Sequence, residues 1–416
     1  MKTEKGIFWV PSNPTRKVAG YLSYSENRIE LDLVGCFDDI TGSDDEFSYL
    51  IINGTLGLKP VLLYDCYENK RSVHFSAMDY TTLIVNMIFF GINATKTSSL
   101  RFHRCSFEPT YFNQWVNKKD SLDVKMDRLK FKVAIEYELP DPITTILSTG
   151  QECKIAFRAS GPGFGFHRRD PSIVQKTYFS YESRKKQELR ILLSAISHYS
   201  KLIMLFTHKP TYMDNIRIFY RKPRSTEYLE ADLYRTSRAR GETKDPNPYE
   251  FILYYSDISS DYDSILDKWF SHISVVNTSL NSYFDTFFTS SNVDDFALNI
   301  LKSMESYHRE MISSRRINIK DRYMELFERV RRTFNPYLKI RSKSKYCDKL
   351  KNLRNDLAHN NPLTISHVGV YKSRYHLVME ARLILTCNIL FDLGLSLTQI
   401  RHLIGRSYAY SGIKKV

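Results

Sequence analysis

Arg354-Asn355-Asp356-Leu357-Ala358-His359, near the end of the run from Lys343 to Asn361, is the stretch from which the rest of the chain can be read. In that run Lys345, Tyr346, Lys349, Asn352 and Asp356 alternate with Leu350, Leu353 and Leu357 at three- and four-residue spacing, which predicts a helix. On an ideal helix Asn355 and His359 share a face, and Arg354 sits about 100° round from Asn355, flanking the same cleft. Asn360, Asn361 and Pro362 then end the helix, since proline disfavours helical geometry in the residue before it and donates no hydrogen bond. His359 is left at the helix C-terminus, where the dipole favours a protonated imidazole.

A cation, an amide and an imidazole at this spacing suit cleavage of a phosphodiester by its own neighbouring 2′-hydroxyl. That reaction needs a group titrating near neutrality to move protons and a permanent cation for the charge that grows on phosphorus. The same residues also fit an ordinary helix, with Arg354 solvated and His359 a C-terminal cap. Spacing alone leaves both readings open, because two residue types at one interval recur in any long chain.

Outward from the motif, the chain is predicted to be helical almost throughout from Asp261. Apolar residues recur at helical spacing in Ile265 to Phe288, Phe296 to Ile312, Tyr323 to Tyr337 and Tyr375 to Phe391, with a shorter final helix at Leu397 to Ile404. Breaks fall at Thr289-Ser290-Ser291-Asn292, Ser313-Ser314, Asn335-Pro336 and Asn361-Pro362, which predicts an all-α bundle of five or six helices. Arg329, Arg331, Arg332, Lys339, Arg341, Lys343 and Lys345 flank the motif helix. They either funnel RNA toward the cleft or form a solvated face. Glu305 and Arg309 stand four apart on an earlier helix, with His308 between them. They orient the motif helix, pair with Asp356, or form a plain surface ion pair.

Residues 1–180 read as strands. Gly20 to Tyr24, Arg28 to Val34, Val61 to Cys66, Leu100 to Phe107 and Leu129 to Tyr137 are separated by turn clusters such as Ser25-Glu26-Asn27 and Thr41-Gly42-Ser43-Asp44. Phe112 to Val116 and Met78 to Phe90 are assigned as short helices. Gly161-Pro162-Gly163-Phe164-Gly165-Phe166 lacks the glycine spacing and Lys-Ser/Thr ending of a phosphate loop, so it is a loop with backbone freedom. Residues 181–258 form a mixed connecting region. It has an amphipathic helix over Arg184 to Phe206 and strands over Asn215 to Arg221 and Phe251 to Tyr255. Between those strands Arg238 and Arg240 lie in a basic segment, either an RNA-contacting loop or a solvated one. Residues 259–416 complete the division as the helical bundle, and the fold class expected is α+β.

A formal charge of +14 on 416 residues favours a polyanionic partner. The six cysteines are scattered, with no Cys-x-x-Cys pair and no cysteine-histidine ligand spacing. That argues against a zinc module or a disulfide framework and for reduced thiols in the cytosol. No clustered carboxylates suggest a metal-dependent nuclease, so no metal or other cofactor is expected. The N-terminus does not read as a secretory signal, and the most apolar windows, Leu83 to Ile92 and Ile191 to Phe206, read as too short or too polar to cross a bilayer. A cytoplasmic protein without a membrane partner is therefore expected.

The stretch Lys351-Asn352-Leu353-Arg354-Asn355-Asp356-Leu357-Ala358-His359 resembles the signature of HEPN ribonucleases. The C-terminal region from about Ser260 resembles the HEPN domain of ApeA-type anti-phage proteins. Glu305-Ser306-Tyr307-His308-Arg309 is similar to a Glu-x-x-His-Arg segment of that group. Gly6-Ile7-Phe8-Trp9-Val10-Pro11 with Val18-Ala19-Gly20-Tyr21-Leu22 resembles the start of the ApeA amino-terminal domain. The resemblance implies a metal-independent endoribonuclease in which Arg354, Asn355 and His359 are catalytic and Asp356, Glu305, His308 and Arg309 are auxiliary. Arg331, Arg332, Arg341, Lys345, Arg238 and Arg240 are the expected RNA contacts. It implies 2′,3′-cyclic phosphate and 5′-hydroxyl ends, and a role in phage defence by abortive infection. RNA, tRNA included, is cut after a phage-derived trigger is sensed. One histidine does not easily serve as both acid and base, and the family pairs two bundles, so a homodimer or larger assembly is expected. Two other classes fit the same residues, a non-catalytic RNA-binding protein and a protein-interaction module with a degenerate bundle.

Overall fold

A computed structural model of the 416-residue chain describes residues 1–37, 48–72, 79–118, 122–127, 132–161, 173–221, 227–236, 245–247, 249–288, 292–338, 340–359 and 368–413. The first six strands are β1 (Lys2–Trp9), β2 (Val18–Ser25), β3 (Arg28–Val34), β4 (Ser48–Leu56), β5 (Lys59–Ser72) and β6 (Tyr80–Phe90). They pair antiparallel in the order β6-β3-β2-β1-β4-β5, and β5 pairs back onto β6, closing a six-stranded barrel. Closure removes the free edges that an open sheet would present. Alternation explains the inside. Along β3 Ile29, Leu31 and Leu33 are buried while the residues between them face outward. These residues, with Phe8, Leu22, Ile52 and Leu63, form a core of the barrel's own.

A second set of strands extends from β6. It comprises β7 (Arg101–Pro109), β10 (Ile143–Ile146), β11 (Glu152–Ser160), β12 (Val174–Glu188), β13 (Met213–Arg221) and β14 (Tyr228–Arg235), in the order β10-β11-β12-β7-β13-β14 with β14 against β6. A separate hairpin joins β8 (Leu122–Asp127) to β9 (Lys132–Tyr137). The short α1 (Phe112–Val116) and the long α2 (Leu189–Thr207) cover one face of this sheet. Tyr199 of α2 stacks on Phe179 of β12 with ring centroids 3.5 Å apart. The mixed stretch 181–258 thus supplies two strands to the sheet begun by the N-terminal residues.

Three local expectations are corrected. Met78 to Phe90 was assigned as helix, yet residues 80–90 are β6. The run from Leu83 to Phe90 is apolar at every position but Asn86 and so hides its period, while its β-branched content and its pairing along both edges mark a strand. The helix drawn from Arg184 starts at Leu189, because β12 continues through Glu188. Phe251 to Tyr255 is not a strand. Ile252 and Leu253 donate backbone hydrogen bonds to the Phe206 carbonyl at the end of α2, and α3 (Tyr255–Ile258) follows. The reading of Ile191 to Phe206 as too polar or short to cross a bilayer also changes. Leu189–Thr207 has the length and composition for it, but here eleven of its residues are buried in the protein core. The glycine loop from residue 162 and the segment bearing Arg238 and Arg240 lie outside the described residues.

Among the described residues the bundle has six helices, namely α4 (Tyr262–Asp285), α5 (Val293–Met311), α6 (Ile319–Phe334), α7 (Lys343–Ala358), α8 (Val368–Asp392) and α9 (Leu397–Arg406). The architecture is α+β, as expected. One hydrophobic core runs without a break from the second sheet through α2 into this bundle, separate from the barrel core. The N-terminal half of α4 is fastened to the sheet side. The Tyr262 and Tyr199 hydroxyls lie 3.0 Å apart, Ser148 donates to Asp267 from both its backbone nitrogen (2.8 Å) and its hydroxyl (2.9 Å), and the Trp269 indole donates to the His198 carbonyl at 2.8 Å.

Candidate active site

α7 begins at a cap, Ser342, whose hydroxyl accepts from the Lys345 backbone nitrogen at 3.4 Å. Tyr346, Cys347, Leu350 and Leu353 form its buried stripe, which leaves the polar residues of the motif toward the surface. His359 is the C-cap. Its backbone nitrogen still donates to the Asn355 carbonyl at 3.1 Å, so the helical path carries both residues onto one face.

Arg354 is the anchored member of the motif. Its Nη2 donates to Glu305 Oε2 of α5 at 3.2 Å, and the other carboxylate oxygen of Glu305 accepts from Arg309 Nη2 at 3.0 Å. Glu305 is only 16% exposed, so this bridge fixes the arginine from inside the bundle. The Arg354 Nε is buried and has no hydrogen-bond partner among the described residues. Such an orphaned charged donor costs free energy unless something fills the position. His359 is exposed, and its ring forms no hydrogen bond or ion pair with another described residue. Asp356 is half-buried and forms no ion pair among the described residues, so the anticipated pairing of Asp356 with Arg309 gives way to the Glu305 bridge.

His308 is placed elsewhere. It is fully buried between α5 and α6, with Nε2 2.6 Å from Glu325 Oε2 and Nδ1 accepting from Arg322 Nη1 at 3.0 Å. Arg322 also donates to the Ser313 and Arg315 carbonyls. Since a guanidinium only donates, Nδ1 is the acceptor, and Nε2 carries the proton and donates it to Glu325. Burial pushes the His308 pKa down, against the pull of Glu325. This cluster sets the angle of α5, and thus the place of Glu305 one turn before His308. A second lock joins α6 to α8, where Arg329 grips Asp392 and Asn388, and Tyr307 donates to Asp392.

Tyr323, wholly buried, donates to the Leu301 carbonyl at 3.3 Å. Its phenol is pushed up first by burial and then by the charge of Glu305. Tyr323, Arg322 and Glu325 were missed in the sequence, since their spacing on α6 matches that of any amphipathic helix. The cations expected at the cleft stand at the other end of α7. Lys343 pairs with Glu328 at 2.8 Å, Arg331 reaches the same carboxylate at 3.8 Å, and Lys345 precedes His359 by about 21 Å of helix axis. Arg332 and Arg341 are exposed beside them. Among the described residues no group of three or more His, Cys, Asp or Glu side chains is placed to hold a metal ion.

Residues 3–269 match the family described as ApeA N-terminal domain 1. The chain belongs to the ApeA family. Residues 276–399 match Apea-like HEPN, a span holding α5 to α7 and the whole Arg354 to His359 motif. HEPN domains are in general ribonuclease domains, so the match reads coarsely as an enzyme of ribonuclease and defence type. The N-terminal match ends inside α4, the helix whose first half is bonded to the sheet. Nothing matches the chain among curated proteins or among solved structures.

Proposed function

We propose that this ApeA-family chain is a metal-independent endoribonuclease whose reaction centre is the C-terminal end of α7. The observation that carries the reading is Arg354, fixed by Glu305 with a buried unpartnered Nε, on the same short helix end as the exposed His359. A phosphate oxygen accepts from the free guanidinium donors, and Asn355 positions that phosphate or the imidazole. His359 takes the 2′-hydroxyl proton, O2′ bonds to phosphorus, and the bond from phosphorus to O5′ breaks. The products are a 2′,3′-cyclic phosphate and a 5′-hydroxyl, which requires a proton on the departing oxygen. A second copy of the chain supplies that proton through its own His359, which makes a homodimer the working unit.

Glu305 and Arg309 act as positioning residues, and His308 acts through them by holding α5. The exposed cations Arg331, Arg332, Arg341 and Lys345 bind RNA backbone at a distance from the reaction. RNA of the infected cell, tRNA included, is the substrate. The cytoplasm is the place of action, and the β region answers to a phage-derived trigger in abortive infection. Removing residues 1–258 then abolishes the response to phage. A second reading has one observation in its favour, since the bridge from Arg354 to Glu305 is also a sound way to tie α7 to α5. In that case the bundle binds RNA without cutting it. Purified protein incubated with total RNA in chelator, beside Arg354→Ala and His359→Ala, separates the two. New 5′-hydroxyl ends that vanish in both variants support the nuclease, whereas RNA binding with no cleavage, even after infected-cell extract is added, supports the second reading.

A further inference from the structure

Far from the motif, a cavity of about 720 Å³ opens between the second sheet, α2 and α4. Its volume is that of sites that enclose small organic ligands. Tyr212, Tyr234, Phe284 and Phe288 supply aromatic surface, and the Tyr212 and Phe288 rings meet edge to face at 5.6 Å. Two cations line it, and they differ. Lys201 donates to Asn281 and faces Asp285, which holds part of its charge. The Arg235 guanidinium, at the end of β14, has neither hydrogen bond nor ion pair with any described residue, and burial alone lowers its pKa. A partly buried cation with no ion pair among the described residues leaves a place for an anion.

The backbone around it is irregular. The pairing of β13 with β7 slips between Asp214 and Arg217, and Asn215, which lines the cavity, takes a left-handed φ of 48°. Bulges and strained non-glycine residues of this kind collect at binding sites, where they re-aim side chains. Asp214 and Glu26 add acceptor oxygens at the same wall.

We infer that this cavity binds a nucleotide, its base on the aromatic walls, its phosphate on Arg235, and its hydroxyl or amino hydrogens on Asp214 and Glu26. A ring, an anion and hydrogen-bond donors in one small molecule meet all three kinds of lining at once. The wall is shared between strands of the sheet and α4 of the bundle, so an occupant touches both. The inference stands apart from the nuclease reading, because binding is measured without cleavage.

Calorimetric titration of the full chain with AMP, GMP, CMP and UMP, beside the corresponding nucleosides and inorganic phosphate, tests it. At least one mononucleotide should bind one per chain, with its nucleoside and free phosphate each roughly 10- to 100-fold weaker. Arg235→Ala should lose the same factor. Since that guanidinium has no hydrogen bond or ion pair among the described residues, the melting temperature of the variant without nucleotide should match wild type. Ser197→Trp, which fills the cavity from α2, should abolish binding, and Arg354→Ala should leave it unchanged. Absence of mononucleotide binding overturns the inference. So does binding that survives both cavity variants, binding lost in Arg354→Ala, or phosphate binding as tightly as the mononucleotides.

Discussion

The two ends of α7 hold polar and cationic residues in opposite ways. At the N-terminal end Lys345, Arg341, Arg331 and Arg332 are exposed, and the carboxylate nearby, Glu328, serves Lys343 and Arg331 at the surface. At the C-terminal end Arg354 is drawn inward onto Glu305, a carboxylate that is itself enclosed, and one of its donors is left buried and open. Surface charges screened by water attract a polyanion anywhere along its length. A fixed, partly dehydrated guanidinium on the same helix end as an exposed imidazole suits action at one phosphate. Charge density points to the first end, whereas the spacing of Arg354 and His359 and the Glu305 bridge point to the second.

The sharpest way to break this contrast is at the motif. His359→Ala should slow RNA cleavage by about 10²- to 10⁴-fold and Arg354→Ala by about 10²- to 10³-fold, read as single-turnover rates, with melting temperatures close to wild type. Equal rates in variant and parent would place the chemistry elsewhere. Glu305→Gln keeps the shape but loosens the guanidinium, so the turnover rate should fall by about 10- to 100-fold with little change in KM. A KM effect without a rate effect would make Glu305 a contact for RNA and not a positioning residue. In the interior, His308→Ala leaves Arg322 and Glu325 without their partner, and chemical denaturation should show a loss of about 1–3 kcal/mol.

At the other end, Arg331→Ala with Arg332→Ala should weaken RNA binding. The double substitution should also flatten its log–log salt slope by about 1.4 for two single-strand phosphate contacts. The interior also sets a dependence on pH. Burial lowers the pKa of His308, of His208 and of His198, the last to about 4. The unfolded chain, with histidines near about 6.5, binds more protons than the folded one, so stability falls as pH drops from about 6.5 toward 4. Thermal melts at constant ionic strength that rise over that acid window would contradict the assignment.

Much of this was readable in advance, for physical reasons that differ by region. Five of the six bundle helices carry an apolar stripe bounded by caps or breaks, and these were drawn to within a few residues. The sixth, α8, starts earlier than expected, at Val368. The barrel closure was not readable, because pairing of β5 with β6 joins residues through register and not through any local signal. β6 itself was mistaken for a helix, since its apolar residues are nearly continuous in the sequence, although Thr81, Leu83 and Val85 alternate with less buried neighbours in the fold. At the site, the Arg354 and His359 spacing was legible within one helix. Its partner Glu305 lies 49 residues away and was only one of several ways that α5 was expected to serve.

The most direct test compares the two ends of α7 in one assay, the single-turnover cleavage of a fixed RNA at rising protein concentration. Arg354→Ala should stay slow at every concentration, whereas the Arg331→Ala, Arg332→Ala double variant should regain the wild-type rate once binding saturates. Recovery of Arg354→Ala at saturation, with the double variant remaining inactive, would contradict the account.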